Sequence, residues 1–119
     1  MSKMSKKYKE RWLKALRSGK YKKAVGQLRV DPAKFEEEES HFCCLGVLTD
    51  VVKEEVDGLS PRWGGDSDLP ESVCKLTGIP YDVENDSIQE RLISMNDGCD
   101  NYKRARSFKE IANWIEKNL

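Results

Sequence analysis

The chain has 119 residues, 38% of them hydrophobic and 35% charged, with equal numbers of acidic and basic side chains. That length suffices for a single domain over residues 1–119, and the charge content predicts a small core beneath a heavily solvated surface. No run of 18 apolar residues exists, which excludes a membrane-spanning helix, and the basic start from Met1 to Arg11 lacks the apolar stretch of a secretory signal.

Neutrality conceals three blocks of charge. Met1 to Arg29 carries 11 Lys/Arg against one acid, Val30 to Asp100 carries 18 acids against five basic residues, and Asn101 to Leu119 returns to a basic excess. A charged block is ordinarily a solvated face. Blocks of opposite sign can also attract one another within a fold, or draw an anionic ligand to one face and a basic partner to another.

The spacing of Tyr8, Trp12, Ala15 and Leu16 predicts a first helix from Ser5 to Ser18, capped by Gly19. From Lys23 to Val30 the period shortens, and Val25, Leu28 and Val30 predict a short strand with a bulge at Gly26. After the turn at Asp31-Pro32 and the solvated acidic run Glu36 to Glu39, His41 and Phe42 are expected to return as the second strand of a hairpin. Cys43 to Val56 is the most apolar segment. Its face of Leu45, Leu48, Val52 and Val56 predicts the central buried helix, with Gly46 permitting a close backbone approach.

Leu59 to Asp68 reads as a loop centred on Arg62 and Trp63, the tryptophan serving either as a lid over the core or as an exposed stacking surface. Pro70 and Glu71 open a short helix that stops at Gly78. Ser87 to Glu90 and Ser107 to Glu110 are two capping-box patterns, each opening a helix. Between them lie a predicted turn, Asn96-Asp97-Gly98, and a basic loop with Lys103, Arg104 and Arg106. The expected architecture is α+β and mostly helical, four or five short helices packed on a small β-hairpin.

The four cysteines are Cys43, Cys44, Cys74 and Cys99. An adjacent pair inside an apolar run predicts buried thiols in a reducing cytosol, and the single histidine, His41, does not complete a zinc-ligand spacing. Glycine loops for phosphate or dinucleotide are absent from the sequence, and a Cys43–His41 pair sits in surroundings that disfavour a thiolate. Asp97 to Asn101 lacks the spaced acids of a calcium loop. No catalytic set, metal or cofactor is therefore expected.

The informative residues are cations near an aromatic. Arg17, Lys20, Lys22, Lys23 and Arg29 lie close to the end of the first helix and the strand after it; Arg62 and Trp63 lie in one loop and Arg104 in another. If Arg17, Lys20, Lys22, Arg29, Arg62, Trp63 and Arg104 converge, they would make a positive, aromatic-lined pocket for phosphates and a stacked base. The acidic middle would repel a long polyanion, so a small nucleotide is favoured over duplex nucleic acid.

Several motifs together, namely Arg11-Trp12-Leu13-Lys14-Ala15-Leu16-Arg17-Ser18-Gly19-Lys20-Tyr21, Phe42-Cys43-Cys44-Leu45-Gly46-Val47-Leu48, Leu69-Pro70, Asn96-Asp97-Gly98 and Ser107-Phe108-Lys109-Glu110-Ile111-Ala112, span about half the chain. As a set they resemble a family of small proteins from tailed bacteriophages and prophages. The resemblance implies an accessory protein in the cytoplasm of an infected bacterium, where small non-enzymatic phage proteins often counter host defence. It assigns no residue a role.

The leading expectation is thus a counter-defence protein that sequesters a small phosphorylated nucleotide. The alternative is a protein–protein inhibitor that sets the acidic Glu36 to Glu39 loop and the acidic middle against a basic host enzyme. A third reading is a nucleotide-directed enzyme using carboxylates and a divalent metal. A core this small also leaves room for an apolar face that pairs with a second copy.

Overall fold

A computed structural model describes residues 4–24, 27–30, 40–60, 63–65, 69–81, 88–98 and 106–119. Its helices are α1 (Lys6–Arg17), α2 (Cys44–Val52), α3 (Glu71–Thr77), α4 (Ile88–Asp97) and α5 (Phe108–Asn118), with single 3-10 turns at Lys53–Glu55 and Trp63–Gly65. Among the described residues, three two-residue strands, β1 (Lys22–Lys23), β2 (Arg29–Val30) and β3 (His41–Phe42), complete an α+β, mostly helical fold.

The predicted strand from Lys23 to Val30 is divided. Its two ends lie on opposite edges of β3: β1 runs parallel to it and β2 antiparallel. A continuous strand can occupy one edge only, so the hairpin expected from the sequence is the β2–β3 half of a three-stranded sheet. Val25 and Gly26, where a bulge was expected, lie outside the described residues. The ladder extends past both short strands, since Ala24 N–H donates to the Phe42 carbonyl at 2.7 Å and Cys43 N–H to that of Leu28 at 3.1 Å.

Helix α2 is the centre of the molecule, as its apolar run implies. Cys44, Leu45, Gly46, Val47, Leu48, Thr49 and Val52 are all buried, and α1 and α4 pack on it. The helix begins one residue later and ends four residues earlier than expected: Cys43 caps it, and the chain tightens into the 3-10 turn before Val56 turns extended. Gly46 is necessary. A Cβ there would overlap the Leu28 carbonyl oxygen and come 2.6 Å from the carbonyl carbon, so a larger residue would push α2 off the chain entering β2.

The amphipathic stripe of α1 buries Trp12, Leu13 and Leu16 between α2 and α5. The Trp12 indole N–H needs an acceptor in that dry setting and donates to the Cys44 carbonyl at 2.9 Å. Helix α5 lays Ile111, Ala112 and Ile115 on the same core, and its predicted capping box forms: Ser107 Oγ accepts from Glu110 N–H while the Glu110 carboxylate accepts from Ser107 N–H. Met4 and Leu119, at opposite ends of the chain, are both buried in this cluster.

Two sequence readings need correction. Asn96 and Asp97 belong to the last turn of α4; only Gly98, with φ 80°, leaves the helix. Asn96 stays helical because its side chain has buried partners to satisfy (below), an advantage that outweighs its turn preference. Pro70 is the N-cap of α3 rather than its first helical residue. The acidic run Glu36 to Glu39 and the first capping serine, Ser87, lie outside the described residues.

Candidate functional site

The N-terminus of α2 is a knot of polar contacts in the core. Asn96 is wholly buried; its Oδ1 accepts from Cys44 N–H at 3.0 Å and its Nδ2 donates to the Ala24 carbonyl at 2.7 Å and to Asp97 Oδ1 at 2.9 Å. One amide thus joins α4, α2 and the end of β1. Cys43 Sγ accepts from Gly46 N–H at 3.3 Å, and the Cys44 thiol donates to the Leu92 carbonyl at 3.5 Å. Gln89, also buried, performs a similar task around α3: its Oε1 accepts from Leu69 N–H and its Nε2 donates to the Pro80 carbonyl.

The thiols here are structural. Cys43, Cys44 and Cys74 are all buried. Burial pushes Cys43 up to about 11 despite hydrogen bonds from neighbouring amides, and burial with the adjacent Cys43 pushes Cys44 up as well. A neutral thiol is a weak nucleophile and a poor metal ligand. Among the described residues no three His, Cys, Asp or Glu side chains gather in a way that could hold a metal ion.

The cations predicted from sequence do not meet as a set. Arg17 is turned toward α5, where it binds Asn113 Oδ1 at 2.9 Å and Glu116 Oε1 at 2.6 Å. Lys22 and Arg29 belong to different rows across the sheet: Lys22 pairs with His41, whereas Lys23, Phe42 and Arg29 are in register with each other. Neighbours in register share a face, so Lys22 and Arg29 project to opposite sides. Arg62 and Arg104 lie outside the described residues.

Arg29 and Trp63 do meet, although not as an open platform. The guanidinium lies 4.7 Å from the indole centroid, its stem packed against Gly64, and Phe42 stacks on Trp63 at 6.5 Å and 27°. Trp63 is only 4% exposed. Of the two roles open to it from sequence, the structure shows the lid. Tyr21 closes the row edge-on against Phe42, with centroids 5.1 Å apart.

Tyr21 also borders a surface cleft of about 320 Å³ between α1, its following loop and α2. Three cations line it, Arg11, Lys14 and Lys20, with Ser18 beside them and Ala15, Val51 and the Tyr21 ring as its apolar wall. Arg11 is anchored, one guanidinium nitrogen 2.6 Å from Glu55 Oε2 and another donating to the Val51 carbonyl at 2.8 Å. Among the described residues, neither Lys14 nor Lys20 forms an ion pair. The Tyr21 hydroxyl donates to Asp50 Oδ2 at 2.7 Å, and Asp50 Oδ1 pairs with Lys53 at 2.8 Å.

Of the predicted site residues that are described, only Lys20 lines this cleft. Arg11, Lys14 and Tyr21 were missed, yet the signal was present: Arg11, Lys14, Ala15 and Ser18 follow helical spacing, so one edge of the apolar stripe is cationic.

The class defined by these features is a helix-rich α+β domain with buried polar ties and an open cationic cleft. The chain belongs to a domain family of unknown function, DUF8296, which it matches over residues 4–119. No curated protein and no solved structure matches it. Among the described residues no helix is long and apolar enough to cross a membrane.

Proposed function

We propose that this protein is a bacteriophage accessory protein that binds a small phosphorylated nucleotide in the α1–α2 cleft and withholds it from a host antiviral pathway in the bacterial cytoplasm. The observation that carries the reading is the meeting of Lys14, Lys20 and the Tyr21 ring on one cleft of about 320 Å³. Small-ligand sites commonly measure about 300–1,000 Å³ and combine apolar walls with a few directed polar groups. Lys14 and Lys20 hold phosphate oxygens as point charges. The base lies against Ala15 and Val51, edge-on to Tyr21. Because the cysteine thiols are held neutral, the reading is of a binder rather than a catalyst.

The test is titration calorimetry with AMP and with cyclic dinucleotides, using the native chain and the double variant Lys14→Gln/Lys20→Gln. Both lysines are solvent-facing, so the variant keeps its fold. Its affinity should fall more than tenfold, and native binding should weaken as salt is raised because exposed charges are screened. Equal affinity in the folded variant removes this site.

A further inference from the structure

Beside its cations, the cleft is bordered by Tyr21, whose hydroxyl has a fixed hydrogen-bonding sense. A phenol has one proton to donate and lone pairs to accept with. The Tyr21 proton is committed to Asp50 at 2.7 Å, and Asp50 is held in turn by Lys53 at 2.8 Å. Burial, the bond to Asp50 and its negative charge all raise the hydroxyl above the ordinary tyrosine range, so the proton stays in place at neutral pH. The ring is also fixed by its edge-on contact with Phe42. A ligand that reaches the Tyr21 oxygen therefore meets an acceptor, with a carboxylate behind it that repels phosphate.

We propose that Tyr21 is the specificity residue of the cleft, selecting phosphorylated ligands whose base carries an amino hydrogen-bond donor, with phosphate at Lys14 and Lys20 and the amine at the Tyr21 oxygen. This rests on the nucleotide-binding reading above. It adds a direction to it: the cations bind one end of the ligand, and the Tyr21–Asp50 pair rejects an acceptor at the other. A base that brings only ring nitrogens would set lone pair against lone pair, and such mismatches cost far more selectivity than a missing methyl group.

The experiment compares AMP with purine riboside 5′-monophosphate, which keeps the skeleton and phosphate but lacks the amino group, and adds ribose 5-phosphate as a phosphate-only probe. The native protein should prefer AMP about tenfold. Tyr21→Phe keeps the ring against Phe42 and should reduce that preference to within about twofold. Asp50→Ala leaves the phenol oxygen in place and frees its proton, so the preference should also fall, chiefly through tighter binding of the amine-free nucleotide. Thermal melting controls for folding.

Equal binding of the two nucleotides by the native protein, or a preference that survives both substitutions, overturns the specificity proposal. The nucleotide-binding reading is judged separately by whether all three probes weaken in Lys14→Gln/Lys20→Gln. If no probe binds the native protein at millimolar concentration, the specificity proposal is overturned, and the nucleotide-binding reading falls with it when cyclic dinucleotides also fail to bind.

Discussion

Replacing Asn96 by alanine should remove a large part of the protein's stability without touching the cleft. The side chain is fully buried and supplies the acceptor for Cys44 N–H and the donor for the Ala24 carbonyl. Cys44 is itself fully buried and Ala24 is 6% exposed, so neither backbone group can turn to bulk water. Each orphaned group costs about 1–3 kcal/mol, and the vacated volume adds to that, for a loss of roughly 3–5 kcal/mol. Domains of ordinary stability have only about 5–15 kcal/mol in total.

Urea unfolding followed by circular dichroism reads this directly. With a slope of about 1–3 kcal/mol per molar, the midpoint should fall by roughly 2 M while the slope itself holds. Asn96→Asp gives a sharper comparison. It keeps shape and the acceptor for Cys44 N–H, but loses the donor to Ala24 and sets a buried carboxylate beside Asp97. It should be as unstable as the alanine variant at neutral pH and recover in mild acid, as the new carboxyl gains its proton. A loss below 1 kcal/mol in Asn96→Ala would refute the claim that this amide ties the three elements together.

Three further outcomes are expected. Gly46→Ala gains helix propensity of about 1 kcal/mol, yet must displace Leu28 backbone; overpacking of about 1–3 kcal/mol or more should dominate and lower the melting temperature. Ser107→Ala removes the acceptor for Glu110 N–H and should cost about 1 kcal/mol in the same urea assay. Stability should also fall with alkalinity. Cys43 is raised from 9.0 to about 11 in the fold, so between those values the unfolded chain has lost more protons than the native one, and stability drops as pH rises through that window. A Cys43→Ser variant should show a shallower decline between pH 9 and 11 than the native chain.

The fold was legible where one physical signal acted alone. The stripe of α1, the apolar run of α2 and the capping box at Ser107 each follow from local spacing, and each stands close to where the spacing puts it. The sheet was only half legible. Lys23 to Val30 looks like one strand because local periodicity carries no information on which edge of β3 a residue meets, and that choice is made by the tertiary ladder. Asn96-Asp97-Gly98 misleads for a related reason: turn chemistry is a local preference, whereas the buried amide answers to Cys44, 52 residues away in sequence. The cleft was less legible still. Tyr21 and Asp50 are 29 residues apart, and nothing in the sequence announces their hydrogen bond.

The motifs that stand out in the sequence mostly perform structural work. Trp12 holds the Cys44 carbonyl, Gly46 admits the Leu28 backbone, Asn96 satisfies Cys44 N–H, and Ser107 with Glu110 starts α5. A signature made of such residues identifies a fold and leaves its ligand unnamed. The groups able to take a ligand are those that the fold does not need: Lys14 and Lys20 pair with no carboxylate among the described residues, while Arg17, Arg11 and Lys53 are held by Glu116, Glu55 and Asp50. Cations held in structural pairs have little to gain from a phosphate, because binding must first break an existing contact. Among the described residues Lys14 and Lys20 have no ion pair to break. The physical distinction between a cation that completes the fold and one left over from it therefore directs the search for function to the α1–α2 cleft rather than to the motifs.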